Sequence, residues 1–164
     1  MTASITEQAI LVPVDFSPCS EAALLFAAEL ATCLPCPLLV LHVVHDPGQA
    51  PGYYAMKGRE KQLRRMEDIA ADMLEEFMAG MKKKHPDRSA LGTAETRLVI
   101  GLPVTRILET AEKSQAGMIV MGSQGRTGLA RVLLGSKAEQ VVRLSPIPVT
   151  IVKAPVESRT KDRK

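Results

Sequence analysis

Aromatic side chains are scarce in this chain of 164 residues, which holds three Phe, two Tyr and no Trp. That is too few flat rings to build the row of stacking platforms on which single-stranded nucleic acid is held. An excess of one charge sign is also lacking. The formal net charge is +3, from 21 Lys and Arg against 18 Asp and Glu. Two of those units come from the tail after Lys153, where Arg159, Lys161, Arg163 and Lys164 outnumber Glu157 and Asp162. The remainder is close to balance and carries no basic footprint for nucleic acid. No apolar run reaches the length of a bilayer span. Met1 to Glu7 lacks the basic-then-apolar order of a secretion leader. The expected setting is the cytoplasm, with no nucleic acid and no membrane as partner.

Cysteine is sparse as well, and its odd count of three argues against a disulfide framework. Cys33-Leu34-Pro35-Cys36 has the spacing of redox pairs, but it falls where a helix should end. A reactive pair usually opens a helix, where the dipole lowers the thiol pKa. Zinc would need further ligands. The nearest, His42 and His45, lie along the next strand, and His42 is about 20 Å from Cys36 at roughly 3.3 Å per residue. The expectation is reduced, partly buried thiols and no protein-held metal.

What is present is apolar substance, 46% of the residues, in a chain long enough for one domain with a sizeable core. Ile10-Leu11-Val12-Pro13-Val14 reads as a first strand. Ser17-Pro18 opens a helix, because Ser caps and Pro suits the first helical position. That helix runs from Pro18 to Cys33, and Pro35 and Pro37 stop it. Leu38 to Val44 is apolar almost throughout, as in a strand buried on both faces. His45 to Met56 reads as a loop. A long helix from about Lys57 to Lys84 follows, with Leu63, Met66, Ala70, Met73, Leu74, Phe77 and Met81 as its core stripe. Lys82, Lys83 and Lys84 suit the negative end of its dipole.

Thr93 to Ile100 suits an edge strand, and Gly101-Leu102-Pro103 turns the chain. Val104, Ile107, Leu108 and Ala111 mark the apolar face of the next helix. Met118 to Met121 is a fourth strand, and Val149 to Val152 a fifth. Between them, Ala138, Val141, Val142 and Ser145 line a helix that begins at Ser136. Strands alternating with helices define an α/β fold: one doubly wound parallel sheet with right-handed crossovers and helices on both faces. The folded domain spans residues 8–153, and residues 154–164 form a disordered basic tail.

The densest chemical signal is the stretch Gly122-Ser123-Gln124-Gly125-Arg126-Thr127-Gly128, followed by Leu129 to Leu134 and then Gly135-Ser136-Lys137. Glycines at the exit of a strand and at the start of a helix let backbone N–H groups approach an anion, and the helix dipole adds to the attraction. The order is not that of a P-loop, which needs Gly-Lys-Ser/Thr after four intervening residues. Nor is it the dinucleotide fingerprint, because Gly122, Gly125 and Gly128 are each three apart. A loop that needs glycine only for its turns is the plain alternative. The second pair, Gly135-Ser136 at a helix start, favours a phosphate cradle.

Gly-x2-Gly-x9-Gly-Ser after a Met121-Gly122-Ser123 strand end resembles the nucleotide-binding signature of the universal stress protein family. Val12-Pro13-Val14-Asp15-Phe16-Ser17 resembles the family's first strand. Leu41-His42-Val43-Val44 resembles its second, and Pro146 to Val152 its last. The likeness covers residues 8 to 153. It departs at Gln124, where many members carry His. It implies a Rossmann-like sheet of order 3-2-1-4-5, whose connections diverge between the first and fourth strands, and ligands bind at such switch points.

The resemblance implies an ATP or AMP site. Pro13, Val14 and Val43 would border the adenine, and Met121 and Gly122 would lie against the ribose. Gly125, Gly135, Ser136, Lys137 and Ala138 would wrap the phosphates. Asp15 has two readings: a ligand contact through its carboxylate, or a local turn bond ahead of the first helix. Gly125 is expected at positive φ. A Mg or Mn ion would be held by the phosphates. No catalytic residue is evident, so the expected role is an ATP-binding stress or signalling module with at most weak hydrolysis. The alternatives are a slow ATPase or nucleotide-transfer enzyme and a nucleotide-independent dimeric scaffold. The apolar edge Val149–Val152 implies a homodimer, as the family commonly forms.

Overall fold

The computed structural model describes residues 8–34, 36–46, 59–125 and 134–154, with residues 59–64 by backbone only. Ten elements follow in order: β1 Ile10–Val14, α1 Pro18–Cys33, β2 Leu38–His45, α2 Arg59–Lys84, α3 Ser89–Thr93, β3 Glu95–Gly101, α4 Pro103–Lys113, β4 Met118–Gly122, α5 Ser136–Leu144 and β5 Val149–Val152. The strands form one sheet in the order β3-β2-β1-β4-β5, and every pairing is parallel. The doubly wound α/β sheet read from the sequence is the sheet observed. The basic tail from residue 155 and the loop at 47–58 lie outside the described residues.

Strand alternation divides the core into two layers. Ile10, Val12, Val14, Leu38, Val40 and Val120 point to one face and pack with Ala23, Leu24 and Ala27 of α1 and Leu74 and Met78 of α2. Leu11, Leu39, Leu41, Ile119 and Met121 point to the other and meet Ile107 and Ala111 of α4 and Ala138 and Val141 of α5. Burial on both sides explains why β1 and β2 read as continuous apolar runs.

Helix α1 starts and stops where its punctuation dictates. Ser17 Oγ accepts from the Ser20 N–H, and Pro18 fills the first turn. Helix α2 corrects the expected stripe. Its buried positions are Ala70, Leu74, Met78 and Met81, while Met66 is exposed. A helix of 26 residues is about 39 Å long and outruns the sheet beneath it, so side chains 65–69 all face outward. Val142 is likewise exposed on α5. Residues 89–93 form a short helix, so β3 begins at Glu95 and not at Thr93.

Candidate functional site

At the carboxyl end of β1 the chain leaves the sheet through Asp15. The Ser17 N–H and hydroxyl both donate to Asp15 Oδ1, at 3.1 and 2.6 Å. The local-turn reading of Asp15 is therefore realised. Its other oxygen faces the loop after β4: a Cβ placed on Gly125 would stand 2.7 Å from Asp15 Oδ2. One carboxylate thus serves its own turn and abuts the glycine loop.

Gly122 has a different reason to be glycine. A Cβ there would come within 2.8 Å of the Cys19 carbonyl carbon and Cβ. The missing side chain lets the end of β4 lie directly on the first turn of α1. Ser123, next along, is buried. Its N–H donates to Val152 O at 2.8 Å, and its carbonyl accepts from the Gly135 N–H at 2.7 Å. Gly135 is the N-cap of α5, with ordinary extended backbone, φ −70° and ψ 148°. Asp15, Gly125, Gln124, Ser123 and Gly135 therefore form a contiguous arc across the switch point between β1 and β4.

The first turn of α5 completes the arc. Its opening N–H groups, from Ser136, Lys137 and Ala138, have no partner within the helix by helix geometry. Ser136 and Lys137 are exposed, and Ala138 is buried against β4. Glycine caps with no side chain, so these donors sit at a positive dipole end where an anion would be stabilised.

The remaining predicted residues divide by sheet face. Val43, Met121 and Ala138 share the layer covered by α4 and α5. Pro13, buried between Val12 and Val14, falls on that face by alternation. Val14 does not: its side chain belongs to the opposite layer, and its carbonyl accepts from His42 Nδ1–H at 2.8 Å. Gly125 also corrects an expectation. Among described glycines only Gly101 has positive φ, so Gly125 is needed for its closeness to Asp15 and not for its backbone angle. Arg126, Thr127 and Gly128 lie outside the described residues.

Sequence reasoning missed several residues at this end of the sheet. Asp46, just past β2, is 4% exposed, and its N–H donates to Gly101 O at 3.1 Å. Ser123 and Cys19 stand face to face, Sγ to Oγ 4.0 Å. Phe16 packs on His42 and Phe77. Asp46 and Cys19 belong to no periodic or glycine signal, and although Ser123 and Phe16 lie within quoted motifs, nothing in those motifs marks these contacts.

Elsewhere, Cys33 is exposed rather than partly buried. Cys36 is half-buried, and burial pushes its thiol pKa up. Among the described residues no three His, Cys, Asp or Glu side chains gather to hold a metal ion, and no helix is long and apolar enough to cross a membrane. A groove of about 400 Å³ opens at the opposite end of the sheet between Pro37, Leu38, Thr93, Glu95, Arg97 and Ser114. There Arg97 already pairs with Glu95, and Ser114 Oγ donates to Thr110 O.

A five-stranded parallel sheet with a glycine-bearing arc at its switch point is the frame on which the comparisons bear. The chain belongs to the universal stress protein family, whose profile matches residues 7–153. A universal stress protein of Methanocaldococcus jannaschii is 34% identical over 147 residues, spanning 89% of this chain and 82% of the relative. A second from the same organism is 30% identical over 159 residues, spanning 92% and 97%. Among solved structures, universal stress protein UspA from Lactobacillus plantarum superposes with a TM-score of 0.72 at 26% identity, covering 88% of this chain and 97% of that one. A universal stress protein in complex with cAMP superposes with a TM-score of 0.61 at 25% identity, covering 91% and 99%.

Proposed function

We propose that the protein is an adenine-nucleotide-binding stress or signalling module, taking ATP or AMP, with at most weak hydrolysis. The observation that carries this is the placement of Asp15 against Gly125 on one side of the arc and the glycine-capped start of α5 on the other. The carboxylate suits a ribose hydroxyl or an adenine amino group. The N–H groups of Ser136, Lys137 and Ala138, with the Ser136 hydroxyl, suit phosphate oxygens. Gly125 keeps the approach to Asp15 clear, Gly122 and Gly135 let the end of β4 and the start of α5 close up beside it, and Pro13, Val43 and Met121 supply the apolar wall. Val14 contributes through its backbone. A fold neighbour solved with cAMP supports the nucleotide class. A Mg or Mn ion accompanies the triphosphate on phosphate oxygens. The calorimetric titration of ATP with magnesium is the test. Saturable heat at micromolar to millimolar nucleotide is expected, and its absence there rejects the reading. Sustained multiple turnover in the same sample would favour the slow-ATPase alternative.

The same reading includes a homodimer through β5, working in the cytoplasm. That strand is an outer one, and all four of its side chains are only half-buried. Its open edge invites pairing with a two-fold mate. Light scattering coupled to gel filtration should give twice the chain mass at micromolar concentration. A monomer mass refutes it. Ile151 packs in the layer under α4 and α5, so charging it would disturb the fold as well as the edge.

A further inference from the structure

Phe16, directly after Asp15, sits at φ 65°. A bulky residue enters the left-handed region only where its surroundings hold it there. Two aromatic contacts do so. The Phe16 ring lies 4.4 Å from the His42 ring at 31°, and 5.3 Å from the Phe77 ring at 60°. The second is an edge-to-face arrangement, favoured by the ring quadrupoles. The same imidazole reaches the residue on the other side of Asp15. His42 Nδ1–H donates to Val14 O at 2.8 Å, and since a carbonyl only accepts, the proton is on Nδ1. His42 therefore tethers both neighbours of Asp15, one by a hydrogen bond and one by stacking. Ser17 fixes Oδ1, and Oδ2 faces Gly125.

We infer that Phe16, clamped between His42 and Phe77, is a positioning residue that aims the Asp15 carboxylate at the nucleotide. The inference rests on the nucleotide reading above and adds to it a determinant outside the glycine motif. Loss of the clamp frees the turn to relax to negative φ, which rotates Asp15 away from Gly125. The clamp also ties α2 to the site, because Phe77 belongs to that helix.

A double-mutant cycle on the full chain tests this, read by ATP affinity, with circular dichroism to verify folding. Phe16→Gly accepts either sign of φ and removes the ring, so it should fold and bind ATP about tenfold more weakly. Phe77→Leu, which keeps the backbone and most of the bulk, should lose about threefold and serves if Phe16→Gly does not fold. Both losses should vanish in an Asp15→Asn background, because a positioning residue acts only through the group it positions. A loss of equal size with and without the Asp15 carboxylate overturns the inference, as does unchanged affinity in the folded single variants. Failure of the unmutated protein to bind ATP overturns the nucleotide reading itself.

Discussion

Helices α1 and α5 both start at the carboxyl edge of the sheet, beside strands that are neighbours, yet they start differently. The α1 start is closed by its own chain: Ser17 Oγ takes the Ser20 N–H, and Pro18 removes one donor. The α5 start has Gly135 for a cap, with no side-chain cap bond. Under the nucleotide reading, two helix ends with the same dipole serve opposite tasks. A capped end is stability, and a bare glycine end is an invitation to an anion. The difference lies in one side chain at each cap, Ser17 against Gly135.

The glycines around these two ends separate in the same way, and substitution should pull the roles apart. Gly122→Ala drives a methyl into the Cys19 backbone at 2.8 Å. Backbone does not yield cheaply, so a loss of stability of about 1–3 kcal/mol or more is expected in a denaturant titration. Gly125→Ala meets only the end of a carboxylate. Asp15 can swing aside, so the midpoint of unfolding should hardly move while ATP affinity falls about tenfold. If Gly125→Ala is the less stable of the two, the division between a packing glycine and a site glycine is wrong.

The two serines give the smaller effects and sharpen the contrast between the helix starts. Ser17→Ala removes the cap of α1 and should cost about 1 kcal/mol of stability. Ser136→Ala leaves stability alone and should cost about 0.5–1.5 kcal/mol of ATP binding, one net hydrogen bond. Paired denaturation and calorimetry on both variants would show whether the losses fall on different observables. A stability loss in Ser136→Ala matching that of Ser17→Ala would mean that α5 is capped by its own chain after all.

Legibility in the sequence followed the length scale of each signal. The bounds of α1 and the start of α5 were readable to the residue because Ser-Pro, Pro and Gly-Ser are local stops. The strands were readable because burial on both faces makes uninterrupted apolar runs. The short helix Ser89–Thr93 buries only Leu91 and is too brief for a period to show. The stripe of α2 was misread at Met66 because periodicity says which face is apolar, not how far the partner sheet extends. The glycine spacing marked the candidate site, but not that Gly122 answers to Cys19 and Gly125 to Asp15. Those are contacts between residues about a hundred positions apart. Phe16 stands in the motif at the end of β1, but nothing there signals its left-handed backbone, because the rings it meets, His42 and Phe77, are distant in the chain.

The hydrogen bond from Gly135 N–H to Ser123 O also bears on chain entropy. It pins the exit of β4 directly to the cap of α5, two points twelve residues apart in the chain. Fixing two points of a chain to one another removes part of the entropy that folding must otherwise overcome. Because only backbone atoms make this tie, a substitution at Ser123 leaves it in place.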